Sequence, residues 1–482
     1  MVVSKHNLLY LYATFIFLIF VLIFRIYLNY ISDIPLHFDE AQYWGWSKNL
    51  EWGYYSKPPM LAWLIRLNNY YCGETEFCIR LSTPILYFIS SIFVFLSVKI
   101  LTKSNLSSGF GATVFNLMPG ITFSTFISNT DVPLIFFSSL FSFIFLKIYT
   151  SKSTSYFNYI FLGIVFGLGF LSKYAMTYLL FSIFIISLLF TGIKEKFLNK
   201  NSLIFFLTFL LIIIPHLFWN YNNGFVTFNH TAENTNFKHI NLNFKEPFLF
   251  LFSQFIVFGI YPFYLILRLT VKLKSLDEQN IVLLIFFLTP ILLISILSLF
   301  SRANANWAAV SFPFGCILLS NIFYSKGFLK KRSLSIISQI SLSLLIIILI
   351  FYGKNFGFDP FTKIRHGKEL AKYVSLELKA IENVAFMADD REDFALMLYY
   401  VKDFKGKRVK WNGDIKVDDH YELTTDANKL ANNNILFLTR TMPTQEMLDR
   451  VTSYKLLKSF QIINKSKVKN YNLYLFKKWK AK

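Results

Sequence analysis

The sequence predicts a polytopic α-helical membrane protein of about 11 spanning helices, followed by a small α/β domain. Three observations carry that expectation. The 482 residues are 54% hydrophobic and only 16% charged, with a mean hydropathy of +0.46, too apolar for a chain whose surface faces water on all sides. Apolar runs near 8–30, 81–100, 105–125, 130–149, 157–172, 174–191, 202–219, 248–267, 280–300, 305–323 and 334–352 each span, or nearly span, roughly 30 Å of hydrocarbon. After residue 353 no such run remains and charged residues become frequent.

Taken in order, the first run is too long for a signal-peptide core and lacks a small-residue cleavage site, so it is expected to stay as an anchor. The runs 157–172 and 174–191 are separated only by Ser172-Lys173, which suits one bent helix or two. Basic residues decide between them. With two helices and the N-terminus inside, every short-turn cluster falls on one side: Lys5; Lys99 and Lys103; Lys147 and Lys152; Lys194, Lys196 and Lys200; Arg268, Lys272 and Lys274; Lys326, Lys330, Lys331 and Arg332. Merging the pair would move the last three clusters outside. The expected domains are therefore 1–352, a membrane domain with outer-face loops 31–80 and 220–247, and 353–482, a soluble domain on the same outer face. Within the tail, NVAFMADD, RVKWN, NILFLTR and YNLYLFKKW read as strands, while REDFALMLYYVK and PTQEMLDRVTSYKLL read as helices.

The formal charge of +21, from 49 Lys and Arg against 28 Asp and Glu, is explained by these topology signals and by contact with anionic membrane lipids. No basic run interleaved with aromatics lies in a soluble segment, which argues against nucleic acid as a partner. Three cysteines exclude a disulfide framework or a zinc motif; Cys72 and Cys78 can bridge if their loop faces an oxidising compartment, and Cys316 lies in an apolar run as packing.

Candidate chemistry gathers on the expected outer face. Asp39 and Glu40 open the stretch HFDEAQYWGWSKNLEWGYYSKPPMLAWLI, and ionisable groups near hydrocarbon are expensive enough to be kept mainly for function. The plain alternative for Asp39 is a helix N-cap. Lys57 stands before Pro58-Pro59, whose fixed dihedrals hold the ammonium in a defined place suited to a phosphate; the alternative is a lysine snorkelling to the interface. Lys173 and Arg302, at the ends of apolar runs, carry the same pair of readings. Asp131 precedes Val132-Pro133 as at a helix start, which suits capping or chemistry. His230 and Glu233 lie in the second outer loop. His216, His230 and His239 lack a metal spacing, so no metal or other cofactor is expected from them, although a site combining them with Asp39 or Glu233 stays conceivable.

The blocks beginning at Asp39 and continuing through GYYSKPPM (53–60), TDVPLIFF (130–137), GLGFLSKYAM (167–176), PHLFWNYNNGFVTFNH (215–230), FSQFIVFG (252–259) and RANANWAAVSFPFG (302–315) together resemble bacterial glycosyltransferase family 39 proteins. These are the dolichyl-phosphate-mannose-protein mannosyltransferase-like group of the GT-C superfamily, and FMADDREDFALMLYYV in the tail is similar to their periplasmic domain. The resemblance implies a GT-C-like membrane fold, a polyprenyl-phosphate-linked sugar as donor, a lipid, glycan or protein hydroxyl as acceptor, and inversion at the anomeric carbon. It also implies a bacterial inner-membrane protein with a cytoplasmic N-terminus and a periplasmic C-terminal domain. Carried onto this chain it makes Asp39 the catalytic base with Glu40 its partner, and Lys57 the donor-phosphate contact, with Lys173 and Arg302 as further phosphate candidates. Tyr54, Tyr55, Asp131, His230 and Asn306 are the candidates for the substrate cavity. One departure stands out: related lipid A aminoarabinose transferases have Glu immediately before that lysine, where this chain has Ser56, so the resemblance supports no metal site there. The competing reading is a transporter or flippase of lipid-linked sugars, which would show discontinuous helices in matching halves of the chain. No such symmetry is visible in the sequence.

Overall fold

The computed structural model describes residues 5–152, 155–233, 242–326, 328–414, 416–464 and 467–481. His239 and the middle of the 220–247 loop lie outside the described residues, as do the side chains of Lys5 and Lys326. The chain divides into two compact units. The first takes residues up to Ser32, Lys57–Leu64 and Arg80–Phe351, and the second takes Asp33–Ser56, Ile65–Ile79 and Tyr352–Lys482.

The first unit is helical. Every apolar run of the sequence is helical among the described residues, and seven helices are long and apolar enough to cross a membrane. The other runs are shorter for local reasons. The run 105–125 breaks into Asn105–Asn116 and Pro119–Ser124, because proline lacks the N–H needed to continue a helix yet fits its first turn. The run 248–267 breaks into Lys245–Phe258 and Ile260–Thr270 at Gly259, whose φ of +111° is a backbone conformation that other residues rarely adopt. The runs 157–172 and 174–191 are two helices, Tyr156–Phe170 and Tyr178–Leu189, with Lys173 in extended backbone at φ −163° between them. Buried charge inside the bundle is answered by hydrogen bonds: Arg25 donates to Asn116 O at 2.6 Å and to Thr122 Oγ1 at 3.0 Å.

The second unit is built on a five-stranded sheet ordered β2-β1-β3-β5-β4, from β1 (Val384–Ala388), β2 (Arg408–Lys410), β3 (Asn434–Thr439), β4 (Ser453–Asn464) and β5 (Lys467–Lys477). β1 pairs in parallel with β2 and β3, with Phe386 opposite Arg408 and Leu436, while β5 runs antiparallel to both β3 and β4. Ala385, Met387, Ile435, Phe437 and Phe476 fill one face of the core. The segment read as a helix from Pro443 to Leu457 is helical only over Gln445–Asp449. From Ser453 it is strand, where pairing such as Tyr454 with Phe476 outweighs local helix preference.

The segment 31–80, expected as an outer-face loop of the membrane domain, divides between the units, and most of it lies in the second. Specific contacts account for this. Tyr400 accepts from Leu36 N–H at 2.8 Å and donates to Glu76 Oε1 at 2.7 Å. Lys368 bridges Asp33 and Glu76 at 2.8 and 3.1 Å, and Trp44 meets Tyr399 edge-on at 5.1 Å. Cys72 and Cys78 form a disulfide with their Cα atoms 5.5 Å apart.

Candidate active site

In the second unit the helix Phe38–Trp46 presents Asp39. Its cap is unusual: His37 Nδ1 accepts from Asp39 N–H at 3.2 Å, and Glu40 Oε2 accepts from His37 N–H at 3.0 Å. The capping role weighed for Asp39 therefore belongs to His37 and Glu40, and Glu40 is buried in that role at 1% exposure. Asp39 stays 42% exposed. Its Oδ1 lies 3.4 Å from Arg391 Nη1, which also donates to Gln42 Oε1 at 2.8 Å, one turn along the same helix. The Asp39 Oδ2 atom lies 3.6 Å from His37 Nδ1, a nitrogen already acting as acceptor.

Arg391 is delivered by the sheet. It follows the carboxyl end of β1 as the first residue of the helix Arg391–Tyr400, which Asp390 caps by accepting from Asp393 N–H at 3.0 Å. Arg440, just past β3, pairs with Asp390 at 3.0 Å and Asp393 at 2.8 Å, and Thr439 donates to Asp389 at 2.6 Å. Burial pushes the Asp393 carboxyl up, but hydrogen bonds from His366 and Arg440 outweigh it and hold the group below the ordinary carboxylate range. Asp389, with burial dominant, is pushed up. The carboxyl ends of parallel strands are where open α/β sheets usually carry ligand-facing groups.

Tyr54 and Tyr55 are buried in this unit. Tyr54 stacks on Trp46 at 4.5 Å, its hydroxyl 3.1 Å from Trp46 O, and burial raises that hydroxyl to about 12. Burial also pushes His420, edge-on to Trp46 and Tyr54, down to about 4.

The first unit brings together a separate set. Asp131 opens the helix Asp131–Thr150, but its side chain does not cap it: Oδ1 pairs with Lys173 Nζ at 2.6 Å and Oδ2 accepts from Asn306 Nδ2. Met60 N–H donates to Leu171 O at 3.1 Å, tying the Lys57-Pro58-Pro59 turn to the chain two residues before Lys173. Arg302 is exposed on the loop that leads to Asn306. Tyr174, next to Lys173, pairs its hydroxyl with His216 Nε2 at 2.8 Å and stacks on Phe228 at 5.1 Å, two residues before the half-buried His230. Glu233 is exposed at the end of the helix Val226–Glu233. Among the described residues, no group of three or more His, Cys, Asp or Glu is placed to hold a metal ion.

Sequence reasoning passed over Arg391, Gln42, His37 and Tyr174. The only available signal for Arg391 was the charge-dense Asp389-Asp390-Arg391-Glu392-Asp393 run at a strand-to-helix junction.

Residues 56–219 match the family described as dolichyl-phosphate-mannose-protein mannosyltransferase. A similar curated protein is the lipid A galacturonosyltransferase RgtD of Rhizobium johnstonii, 29% identical over 291 residues; the match spans 60% of this chain and 60% of the relative. ArnT from Cupriavidus metallidurans has the same fold: its apo form gives a TM-score of 0.65 at 10% identity, and its form bound to undecaprenyl phosphate gives 0.66 at 11%, each covering 95% of this chain and 97% of the other. The chain is thus a multi-pass membrane protein with the fold of ArnT, and its residues 56–219 are similar to the dolichyl-phosphate-mannose-protein mannosyltransferase family.

Proposed function

We propose that the protein is an inverting glycosyltransferase that moves a sugar from a polyprenyl-phosphate donor to lipid A or its core saccharide. The acceptor follows the name of the relative RgtD, and the donor lipid follows the undecaprenyl phosphate bound by ArnT. The carrying observation is the Asp39 carboxylate, with one oxygen engaged by Arg391 and the other left to take a proton. Asp39 Oδ2 removes the acceptor hydroxyl proton, the oxygen attacks the anomeric carbon, and the bond to the phosphate oxygen breaks with inversion. A phosphate leaving group needs positive charge rather than a proton. Lys57 is assigned that charge first, because Pro58-Pro59 fix the backbone that carries it. Arg302, exposed on its loop, adds positive potential, whereas the charge of Lys173 is already met by Asp131. The substrate cavity is proposed from Tyr54, Tyr55, Asp131, His230 and Asn306, of which Asp131 and Asn306 are already paired with each other.

The reaction is placed at the outer face of a bacterial inner membrane, with the N-terminus cytoplasmic and the C-terminal unit periplasmic. The one-sided basic clusters support this, as does the Cys72–Cys78 disulfide, which suits an oxidising compartment. Mass spectrometry of lipid A from cells carrying the wild-type or the Asp39→Asn protein tests the reading. Loss of one sugar mass in the variant supports it. An unchanged glycan profile with altered sidedness of lipid-linked sugar would replace it with transport.

A further inference from the structure

We propose that Arg391 is the positioning residue of Asp39, holding Oδ1 so that Oδ2 remains the proton acceptor; this rests on the assignment of Asp39 as base. The carboxylate is 42% exposed, so without an anchor it would sample several rotamers. Arg391 supplies the anchor from an element that is itself fixed. Its guanidinium donates to Gln42 at 2.8 Å and lies 5.2 Å from the centre of the Phe38 ring. Its backbone sits in a helix start locked by the Asp390 cap and by Arg440. A single-nitrogen contact of 3.4 Å leaves the second carboxylate oxygen outside the ion pair. That oxygen also receives no proton from His37, whose Nδ1 accepts from the Asp39 backbone.

The test uses the full-length protein in detergent. The donor is the lipid-linked sugar extract of the producing cells, and the acceptor is lipid A from cells lacking the enzyme. Arg391→Ala is expected to lower kcat about 10²-fold with KM within about threefold, the loss typical of a misplaced reacting group. Binding of undecaprenyl phosphate stays at the wild-type level, and added guanidinium restores part of the rate. Arg391→Lys, which keeps the charge but not the fork, falls between Arg391→Ala and wild type. In the Asp39→Asn background, Arg391→Ala removes no further activity, because it acts only through Asp39. A kcat within threefold of wild type for Arg391→Ala overturns the assignment, as does full additivity with Asp39→Asn. A parallel loss of undecaprenyl phosphate binding in Arg391→Lys overturns it in favour of a folding role. Wild-type protein that transfers nothing sinks the transferase reading itself, and the inference with it.

Discussion

Each unit pairs a carboxylate with a cation, and the two pairs are built in opposite ways. In the helical unit the side chains of Asp131 and Lys173 are 5% and 17% exposed, and both Asp131 oxygens are engaged, one by Lys173 and one by Asn306. In the sheet-bearing unit those of Asp39 and Arg391 are 42% and 35% exposed, and only one Asp39 oxygen meets the cation. A closed pair fixes the backbone segments that carry it, because removing one partner strands a buried charge. An open pair contributes little to stability and keeps a lone pair for chemistry. The sequence presents the two aspartates alike, each at a helix start beside aromatic or apolar residues. Their environments separate them.

The largest expected effect that would break this contrast concerns the closed pair. Asp131→Ala leaves the Lys173 ammonium without its carboxylate and is expected to destabilise the protein by about 3–5 kcal/mol. Thermal unfolding in detergent checks this, and a loss under about 1 kcal/mol would mean that the pair is not closed. Next is the acid response of the sheet-bearing unit. The buried His420 has its pKa lowered from 6.5 to about 4, so it stays neutral when folded while the unfolded chain takes a proton. Its contribution is fully present above about pH 6.5 and is lost as pH falls toward 4, amounting to about 3 kcal/mol. His420→Phe keeps the ring contacts with Trp46 and Tyr54 and is expected to flatten that part of the stability profile, read by tryptophan fluorescence melts at several pH values. The smallest effect is the disulfide. Opening Cys72–Cys78, six residues apart, with Cys72→Ser and Cys78→Ser is expected to cost about 2 kcal/mol through the short loop it closes. Guanidinium unfolding of the double variant measures it.

Much of the fold was legible because hydrocarbon enforces long apolar runs. Asp39 and Lys57 could be proposed from sequence because each stands in a short motif whose chemistry is local. What was not legible involves partners distant in sequence. Arg391 meets Asp39 across 352 positions, and Lys173 meets Asp131 across 42, with no periodicity to announce either. The role of Glu40 was hidden because the cap it completes uses a histidine, which sequence rules do not favour at that position. The strand from Ser453 was hidden because the helix-like pattern of Pro443–Leu457 is overridden by pairing with β5. The segment 31–80 read as part of the membrane domain because composition does not reveal that Leu36, Trp44 and Glu76 have partners in the tail.

The most direct measurement compares transfer and thermal stability in Asp39→Asn and the wild type, using the same full-length protein and the same lipid A acceptor. The substitution keeps the side-chain shape and removes the base. With Asp39 as the proton acceptor, kcat falls by about 10²–10⁴-fold, while the melting temperature stays within a degree or two of wild type. Transfer near the wild-type rate in a folded Asp39→Asn protein would contradict it.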